Sequence, residues 1–357
     1  MIKKSTIYDI AKAANTSVAT VSRVLSNTDY PVKTELRERV LKEAKRLKYI
    51  PNLIGRQLKS KISNDIGVII PNITNPFYSQ LILGVEHIAR KNGYNVMLCN
   101  SQRNPLNEKS FIESLIQKQV QGIIISSLEK NNNILELLKM SSFKIVVMDQ
   151  DVDIDCSKII FNFKRGGFLA AKHLVDLGHK EIAFVSAPLS IHSRVEVYEG
   201  FIKYFKSSGL EMNENYVFIS EEEKEFSDEI YEFENGKALA KKILSNDTLP
   251  TSVFCINDMT AIGIIQELKR NKIRIPEDIS VVGFDNIPLS QITIPPLTTI
   301  DQSTYKMGVT AAEVLLNKIE EKDGDNVSIS FEPSLIVRDS TKKYEYKMNW
   351  TANNESN

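Results

Sequence analysis

The stretch TIYDIAKAANTSVATVSRVL, residues 6–25, reads as two short amphipathic helices separated by a tight turn. Thr6-Ile-Tyr-Asp9 has the form of a capping box, in which the Thr6 hydroxyl accepts an early N–H and the Asp9 carboxylate reaches back. Ile7, Ile10, Ala11 and Ala14 recur at helical spacing and predict a helix over about 7–14. Asn15 and Thr16 interrupt it. Ser17 is placed to cap a second helix, whose apolar stripe is Val18, Val21, Val24 and Leu25. Two such helices around a three-residue turn have the spacing of a helix-turn-helix, whose second helix lies in the DNA major groove. A third helix over about 34–48 would bury Leu36, Val40, Ala44 and Leu47 and close a small all-α core. On the outer face of the second helix stand Ala19, Thr20, Ser22 and Arg23. A guanidinium fork matches guanine O6 and N7, while hydroxyls and small apolar groups suit phosphates and thymine methyls, so Arg23 is the expected base reader. The alternative is an ordinary helical hairpin with a surface arginine.

Charge distribution bears on that choice. The chain of 357 residues balances 45 Lys and Arg against 45 Asp and Glu, yet residues 1–61 hold 14 basic and 5 acidic residues. That end carries +9 and the remainder −9, which is the layout of a basic module for a polyanion joined to an acidic body. A Lys-rich solvated face is the bland alternative. No apolar run reaches the roughly 18 residues needed to cross a bilayer, and the start Met-Ile-Lys-Lys-Ser leads into a polar periodic segment, so neither a membrane partner nor export is expected. Cys99, Cys156 and Cys255 form no Cys-x-x-Cys pair and read as reduced thiols of a cytoplasmic protein.

The body alternates short β-branched runs with amphipathic stretches. The runs are Ile66–Ile70, Gly122–Ile125, Ile145–Met148, Ile182–Val185, Val253–Ile256 and Ile279–Val282, and the stretches fall at 79–92, 107–119, 166–177, 196–208, 234–245 and 259–271. Such alternation specifies buried parallel strands with helical crossovers, and sheets of this kind bind ligands beyond the carboxyl ends of their strands. The loops there are polar: Asn72–Asn75, Ser126–Ser127, Asp149–Asp151, Asn257–Asp258 and Asp285–Asn286. They could hold a small hydroxylated or amide-bearing ligand, or cap the following helices, or do both.

Taken together, TIYDIAKAANTSVATVSRVL, RERV at 37–40 and YIPN at 49–52 resemble the N-terminal domain of the lactose-repressor family of bacterial transcription regulators. IGVIIPNITNPF at 66–77, GYNVMLCNS at 93–101, QGIIISS at 121–127, LGHKEIAFVS at 177–186, CINDMTAIG at 255–263, ISVVGFDN at 279–286, PPLTTIDQ at 295–302 and PSLIVRDS at 333–340 continue the resemblance in order, over about residues 5–341. It implies a small all-α helix-turn-helix domain at 1–48, a hinge helix or linker at 49–61, and an α/β two-lobed periplasmic-binding-protein-like core with parallel sheets at 62–341. Lobe one would take about 62–161 and 290–322, lobe two about 162–289 and 323–341, with a flexible tail at 342–357. It further implies a repressor, not an enzyme, acting in the cytoplasm at the nucleoid. This repressor would grip a palindromic double-stranded DNA operator as a homodimer under control of an effector between the lobes.

Residue by residue, the DNA-contacting set implied is Thr6, Tyr8, Ser17, Val18, Ala19, Thr20, Ser22, Arg23, Ser26, Asn52 and Leu58, with Leu58 as the wedge pushed into the central minor-groove step. The usual hinge alanine is Gly55 here, a loss of up to about 1 kcal/mol of helix propensity. The effector set implied is Asn72, Phe77, Asp149, Arg194, Asn257 and Asp285. The arginine that many sugar-responsive members carry three residues before the Gly-Phe step, here Gly200-Phe201, is replaced by Val197. Arg194 lies one helical turn away and is the expected substitute. The effector implied is a sugar, a sugar derivative or a phosphorylated sugar, with an acidic protein corepressor as the alternative. The acidic segment between Val217 and Gly236 reads as a solvated insertion.

Other chemistry finds little support. Asp151, Asp153 and Asp155 imitate the start of an EF-hand, but its sixth position is Cys156 and its twelfth Asn162. His87, His173, His179 and His192 lack metal-ligand spacing, and His179 belongs to a turn entering a strand. No phosphate-binding glycine loop and no nucleophile elbow occurs, so no cofactor, metal or catalytic residue is expected.

Overall fold

Thr6 opens the first helix as its sequence requires. In α1 (Ile7–Ala13) the Thr6 hydroxyl accepts from Asp9 N at 3.3 Å, and Asp9 Oδ2 accepts from Thr6 N at 2.8 Å. Asn15 turns the chain at φ 48°, a left-handed conformation that asparagine tolerates better than most residues. Ser17 Oγ then accepts from Thr20 N at 3.1 Å to start α2 (Val18–Leu25). Ile10, Ala11, Ala14, Val21 and Val24 pack with Val40 and Ala44 of α3 (Thr34–Arg46), while Leu36 and Leu47 stay half-buried at its rim. Arg39 Nε donates to the Ala14 carbonyl at 3.0 Å and so caps the end of α1 from α3.

The computed structural model describes residues 5–25, 31–49, 63–126, 137–138, 144–149, 155–221, 230–320 and 325–345. The chain forms two units, 1–63 and 64–357. The second unit is built on two six-stranded sheets. In lobe one, β1 (Asp65–Ile70), β2 (Asn95–Asn100), β3 (Gly122–Ile125), β4 (Lys144–Met148) and β5 (Ser157–Phe161) lie in the order 5-4-3-1-2, all parallel. Helices α4 (Pro76–Lys91) and α5 (Pro105–Gln117) are its crossovers, each with proline in the first turn and an asparagine cap, Asn75 and Asn104. After α6 (Phe163–Asp176), lobe two repeats the plan. Its strands are β6 (Ile182–Ser186), β7 (Val217–Ile219), β8 (Ser252–Cys255), β9 (Ser280–Asp285) and β10 (Thr298–Asp301), in the order 10-9-8-6-7. Its helices are α7 (His192–Ser207), α8 (Tyr231–Leu244), α9 (Asp258–Arg270) and the one-turn α10 (Leu289–Ile292). The chain then returns through α11 (Thr304–Glu320), which packs on α4, to β11 (Ser328–Phe331) beside β5 and β12 (Ser334–Ile336) antiparallel to β10.

Each β-branched run of the sequence is a strand, but the lobe boundaries differ from those expected. Thr298–Asp301 pairs with Val282–Asp285, so lobe two extends to residue 301 and the return to lobe one falls at 302–304, not at 290. Residues 325–331 belong to lobe one, because Ser328–Phe331 pairs with Lys158–Phe161. A strand joins the sheet whose edge it can hydrogen-bond, and the flanking runs are too short to reveal that edge. The tail is tied down at its start: Tyr344 N donates to the Leu177 carbonyl at 2.8 Å and its ring meets His179 at 5.5 Å. The flexible tail placed at 342–357 is therefore anchored over 342–345. His179 does enter β6 from a turn, Gly178 preceding it at φ 88°. Among the described residues no helix is long and apolar enough to cross a membrane, and no group of three His, Cys, Asp or Glu could hold a metal.

The α4–α11 crossing depends on two glycines. A Cβ on Gly84 would stand 2.3 Å from the Tyr305 carbonyl oxygen, and one on Gly308 2.1 Å from that of Leu81. Gly84→Ala should lower stability by about 1–3 kcal/mol, read as a fall in the urea midpoint. An unchanged midpoint would contradict so close a backbone approach.

Candidate functional site

The strands of both lobes end at one cleft. Beyond β1 come Asn75, Phe77 and Tyr78, beyond β2 Arg103, beyond β3 Ser126 and beyond β4 Asp149. From lobe two, Ile191, Ser193, Arg194 and Val197 follow β6, Ile256 and Asn257 follow β8, and Phe284 and Asp285 end β9. Gln302 and Phe163 sit on two of the segments that cross between the lobes. These residues line a space of about 670 Å³, its open mouth included.

Five of the six expected effector residues line it: Phe77, Asp149, Arg194, Asn257 and Asp285. Asn72 does not. It is fully buried, its Oδ1 accepts from Thr74 N at 2.9 Å and Thr74 Oγ1 at 2.7 Å, and its Nδ2 approaches both oxygens of Glu232 at 3.5 Å. Asn257 serves as a cap as well, its Oδ1 accepting from Thr260 N at 2.8 Å at the start of α9. Arg194 is 5% exposed and donates from Nη1 to the Pro188 carbonyl at 2.9 Å. Burial, with Arg103 nearby, lowers its pKa to about 10, so it remains a cation at neutral pH.

Two cleft acids stand on unusual backbone. Asp149 has φ 56° and Asp285 φ 118°, conformations that L-residues adopt rarely and that cluster at functional sites. Burial pushes the Asp149 carboxyl up to about 7. Asp285 Oδ1 accepts from Gln302 Nε2 at 2.6 Å. Behind it, Asp258 accepts from Thr299 Oγ1 at 2.5 Å and Ile287 N at 2.9 Å. Burial raises both carboxyls, and the neighbouring Asp258 charge raises that of Asp285 further.

Sequence reasoning missed a buried cross-lobe ion pair. Arg103 Nη2 donates to Glu232 Oε1 at 2.8 Å, with the side chains 14% and 0% exposed. Arg103 follows β2 in a turn where Gln102 and Arg103 both have φ 55°. Glu232 lies in the first turn of α8, where the helix dipole favours an anion. The segment before Gly236, read as a solvated insertion, thus ends in a buried inter-lobe glutamate; residues 222–229 lie outside the described ones. The rule of carboxyl strand ends points to Arg103, but only the tertiary fold brings it to a helix 129 positions away.

The other candidate surface is on α2. Tyr8 is 71% exposed, Thr6, Ser17, Ala19 and Arg23 are exposed, and Val18, Thr20 and Ser22 are half-buried. Ser26, Asn52, Gly55 and Leu58 lie outside the described residues.

Comparison with known proteins gives consistent results. Residues 6–52 match the family described as bacterial regulatory proteins, lacI family, and residues 171–341 match the periplasmic binding protein-like domain. Proteins named HTH-type transcriptional repressor PurR are similar: that of Pasteurella multocida (strain Pm70) is 38% identical over 340 residues, 95% of this chain and 99% of the relative. That of Mannheimia succiniciproducens is 36% identical over 341 residues with the same coverage. Among solved structures, the Lac repressor bound to ONPG in the repressed state superposes with TM-score 0.82 at 27% identity, covering 95% of this chain and 100% of that one. A LacI family regulator from Enterococcus faecium with bound ribose superposes with TM-score 0.70 at 28% identity, covering 79% and 100%.

Two measurements check the cleft's electrostatics. Arg103→Met leaves Glu232 buried without its guanidinium and should cost about 3–5 kcal/mol in a urea titration, whereas the double variant with Glu232→Met should recover most of it. A loss in the double variant equal to the sum of the losses in Arg103→Met and Glu232→Met alone would mean the pair carries no coupling. Because the Asp149 pKa is raised from 3.8 to about 7, its ionisation opposes folding progressively between those values and fully above them. Asp149→Asn should therefore melt higher than the parent at pH 8, with the gap closing by pH 4.

Proposed function

Because the chain belongs to the lacI family of bacterial regulatory proteins, we propose that it is a transcriptional repressor whose grip on a near-palindromic operator is set by a small molecule held between the lobes of its body. The observation that carries this reading is the joint presence, along one chain matching 99% of a repressor's length, of a capped recognition helix and a polar cleft at the carboxyl ends of two parallel sheets. It is a regulator and not an enzyme, as its relatives are, and it acts in the cytoplasm at the nucleoid.

The recognition helix α2 enters the major groove with Arg23 on a guanine edge and Ser17, Thr20 and Ser22 on phosphates or neighbouring bases. Thr6 and Tyr8 add backbone contacts from the start of α1. Two chains pair, so that the half-sites of the operator mirror the protein's two-fold symmetry. Between the half-sites, Asn52 and the Leu58 wedge engage the minor groove. The effector, a sugar or sugar derivative, bridges Asp149 on lobe one and Arg194, Asn257 and Asp285 on lobe two, and so biases the angle between them. Relatives in fold hold ribose or ONPG. A coupling of about 1–3 kcal/mol would change operator occupancy 5- to 150-fold. The cleft's walls, drawn from both lobes and carrying polar side chains from each, favour this over a protein corepressor.

Selection of bound sites from a random duplex library, followed by mobility shift with and without metabolite pools, tests the reading. Arg23→Ala should lose about 1–3 kcal/mol of discrimination at one base position; unchanged selectivity would remove the base-reading role. Asp285→Ala should abolish the response to metabolites, and a normal response would place the effector elsewhere.

A further inference from the structure

The Arg103–Glu232 pair is held rigidly from both sides of the cleft. Glu232 is carried on α8, which is clamped to α9 backbone to backbone: a Cβ on Gly236 would stand 2.3 Å from the Thr260 carbonyl oxygen, and one on Gly263 2.2 Å from that of Phe233. Thr260 Oγ1 also donates to the Glu232 carbonyl at 3.2 Å. Glu232 therefore moves only with lobe two. Arg103 is tied as firmly to lobe one. Ser101 N donates to the Ile70 carbonyl at 2.8 Å at the end of β1, and Asn104 N donates to the Ser101 carbonyl at 3.0 Å. Asn107 Nδ2 donates to the same Ser101 carbonyl at 3.2 Å, which closes the turn around Arg103.

Between these two fixed ends the Glu232 carboxylate is fully buried, with Arg103 Nη2 at 2.8 Å and Asn72 Nδ2, also of lobe one, at 3.5 Å from each oxygen. Neither side chain has slack to follow its partner if the lobes part, so opening breaks the pair outright. A buried pair is screened little by salt, and separating it strands two charges that the fold has taken out of water. Arg194, the other cation on the cleft wall, donates to the Pro188 carbonyl of its own lobe. A ligand shifts the lobe angle only by its difference in affinity for the two arrangements. A chain with a strong bond of its own across the cleft carries part of the closing energy before any ligand contributes.

Resting on the reading of the body as two lobes whose angle sets operator affinity, we propose that Arg103 and Glu232 form a latch that closes the body by itself, and that the strength of this latch sets the resting grip on the operator. The effector then acts on an equilibrium that the chain has already biased. Changing the latch therefore changes operator affinity with no metabolite present.

Paired spin labels on the full chain test this. Lys109→Cys in α5 and Lys241→Cys in α8 put one label on each lobe at exposed positions, and the native cysteines are buried. Labelled chain is diluted with unlabelled chain, so that electron–electron resonance reads distances within one chain. With the latch intact a single distance is expected. Arg103→Met and Glu232→Gln should each add a second population at a different distance, and Arg103→Lys, a single-pronged cation, a smaller one. Mobility shift of the same chains on the selected operator, without metabolites, should show affinity changed at least about fivefold and in one direction in Arg103→Met and Glu232→Gln. Melting temperatures report loss of folding, and if those two variants fail to fold, Arg103→Lys decides. Distances like the parent's in every folded variant overturn the latch, as do operator affinities that stay unchanged or move in opposite directions. Unchanged distances with operator binding intact sink this inference alone; a chain that retains no duplex sinks the repressor reading and leaves the distances to decide the latch.

Discussion

Two sheets that end on one cleft must satisfy, across the gap, every polar group their strand ends carry into it. The buried Arg103–Glu232 pair is where that constraint is met most sharply, since a guanidinium from lobe one and a carboxylate from lobe two would each be intolerable there alone. Asn72 joins the same glutamate from beneath, and its other end shapes the loop that carries Asn75, Phe77 and Tyr78. The same group thus holds the lobes together and sets the first wall of the site. Any motion that opens the cleft must separate this pair, so the free energy of opening includes rehydrating both charges.

The remaining acids make the closed arrangement unequal in its demands. Asp149 and the Asp258–Asp285 couple are buried with raised pKa values, and Asp149 and Asp285 sit on left-handed backbone. These features oppose stability, and the rest of lobe two offsets them with an apolar interior in which Phe184, Phe201, Phe254 and Phe284 are essentially inaccessible. Local rules are broken at the strand ends and obeyed in the sheets, which is the pattern expected where a scaffold holds a site ready for a partner.

Much of this was legible in the residues. The capping box at Thr6, the Ser17 cap and the spacing of Val21 and Val24 predict the helical hairpin because local chemistry alone forms it. The six β-branched runs are strands because each is buried on both faces and needs no long-range information to be recognised. What failed to show were features decided by pairing across long stretches of chain. Thr298–Asp301 and Ser328–Phe331 are only four residues each, and which sheet they extend depends on a free edge formed by residues far away. Glu232 looked like one more carboxylate in an acidic run, since nothing near it in sequence announces Arg103.

Val197 is fixed by close packing of two helices. A Cβ on Gly167 would fall 1.9 Å from the Val197 carbonyl oxygen and one on Gly200 1.8 Å from that of Lys164, so α6 and α7 touch backbone to backbone around this turn. Val197 is 2% exposed and continues the hydrophobic cluster of Phe201 and Phe205. One turn earlier, Arg194 is the third residue of α7 and lies on the cleft, fixed by the Pro188 carbonyl of the loop that precedes the helix. Arg194 precedes Val197 by three residues, about 4.5 Å along the helix axis at 1.5 Å rise each. Val197 thus belongs to the apolar cluster between the helices, while Arg194 presents a charge on the cleft wall.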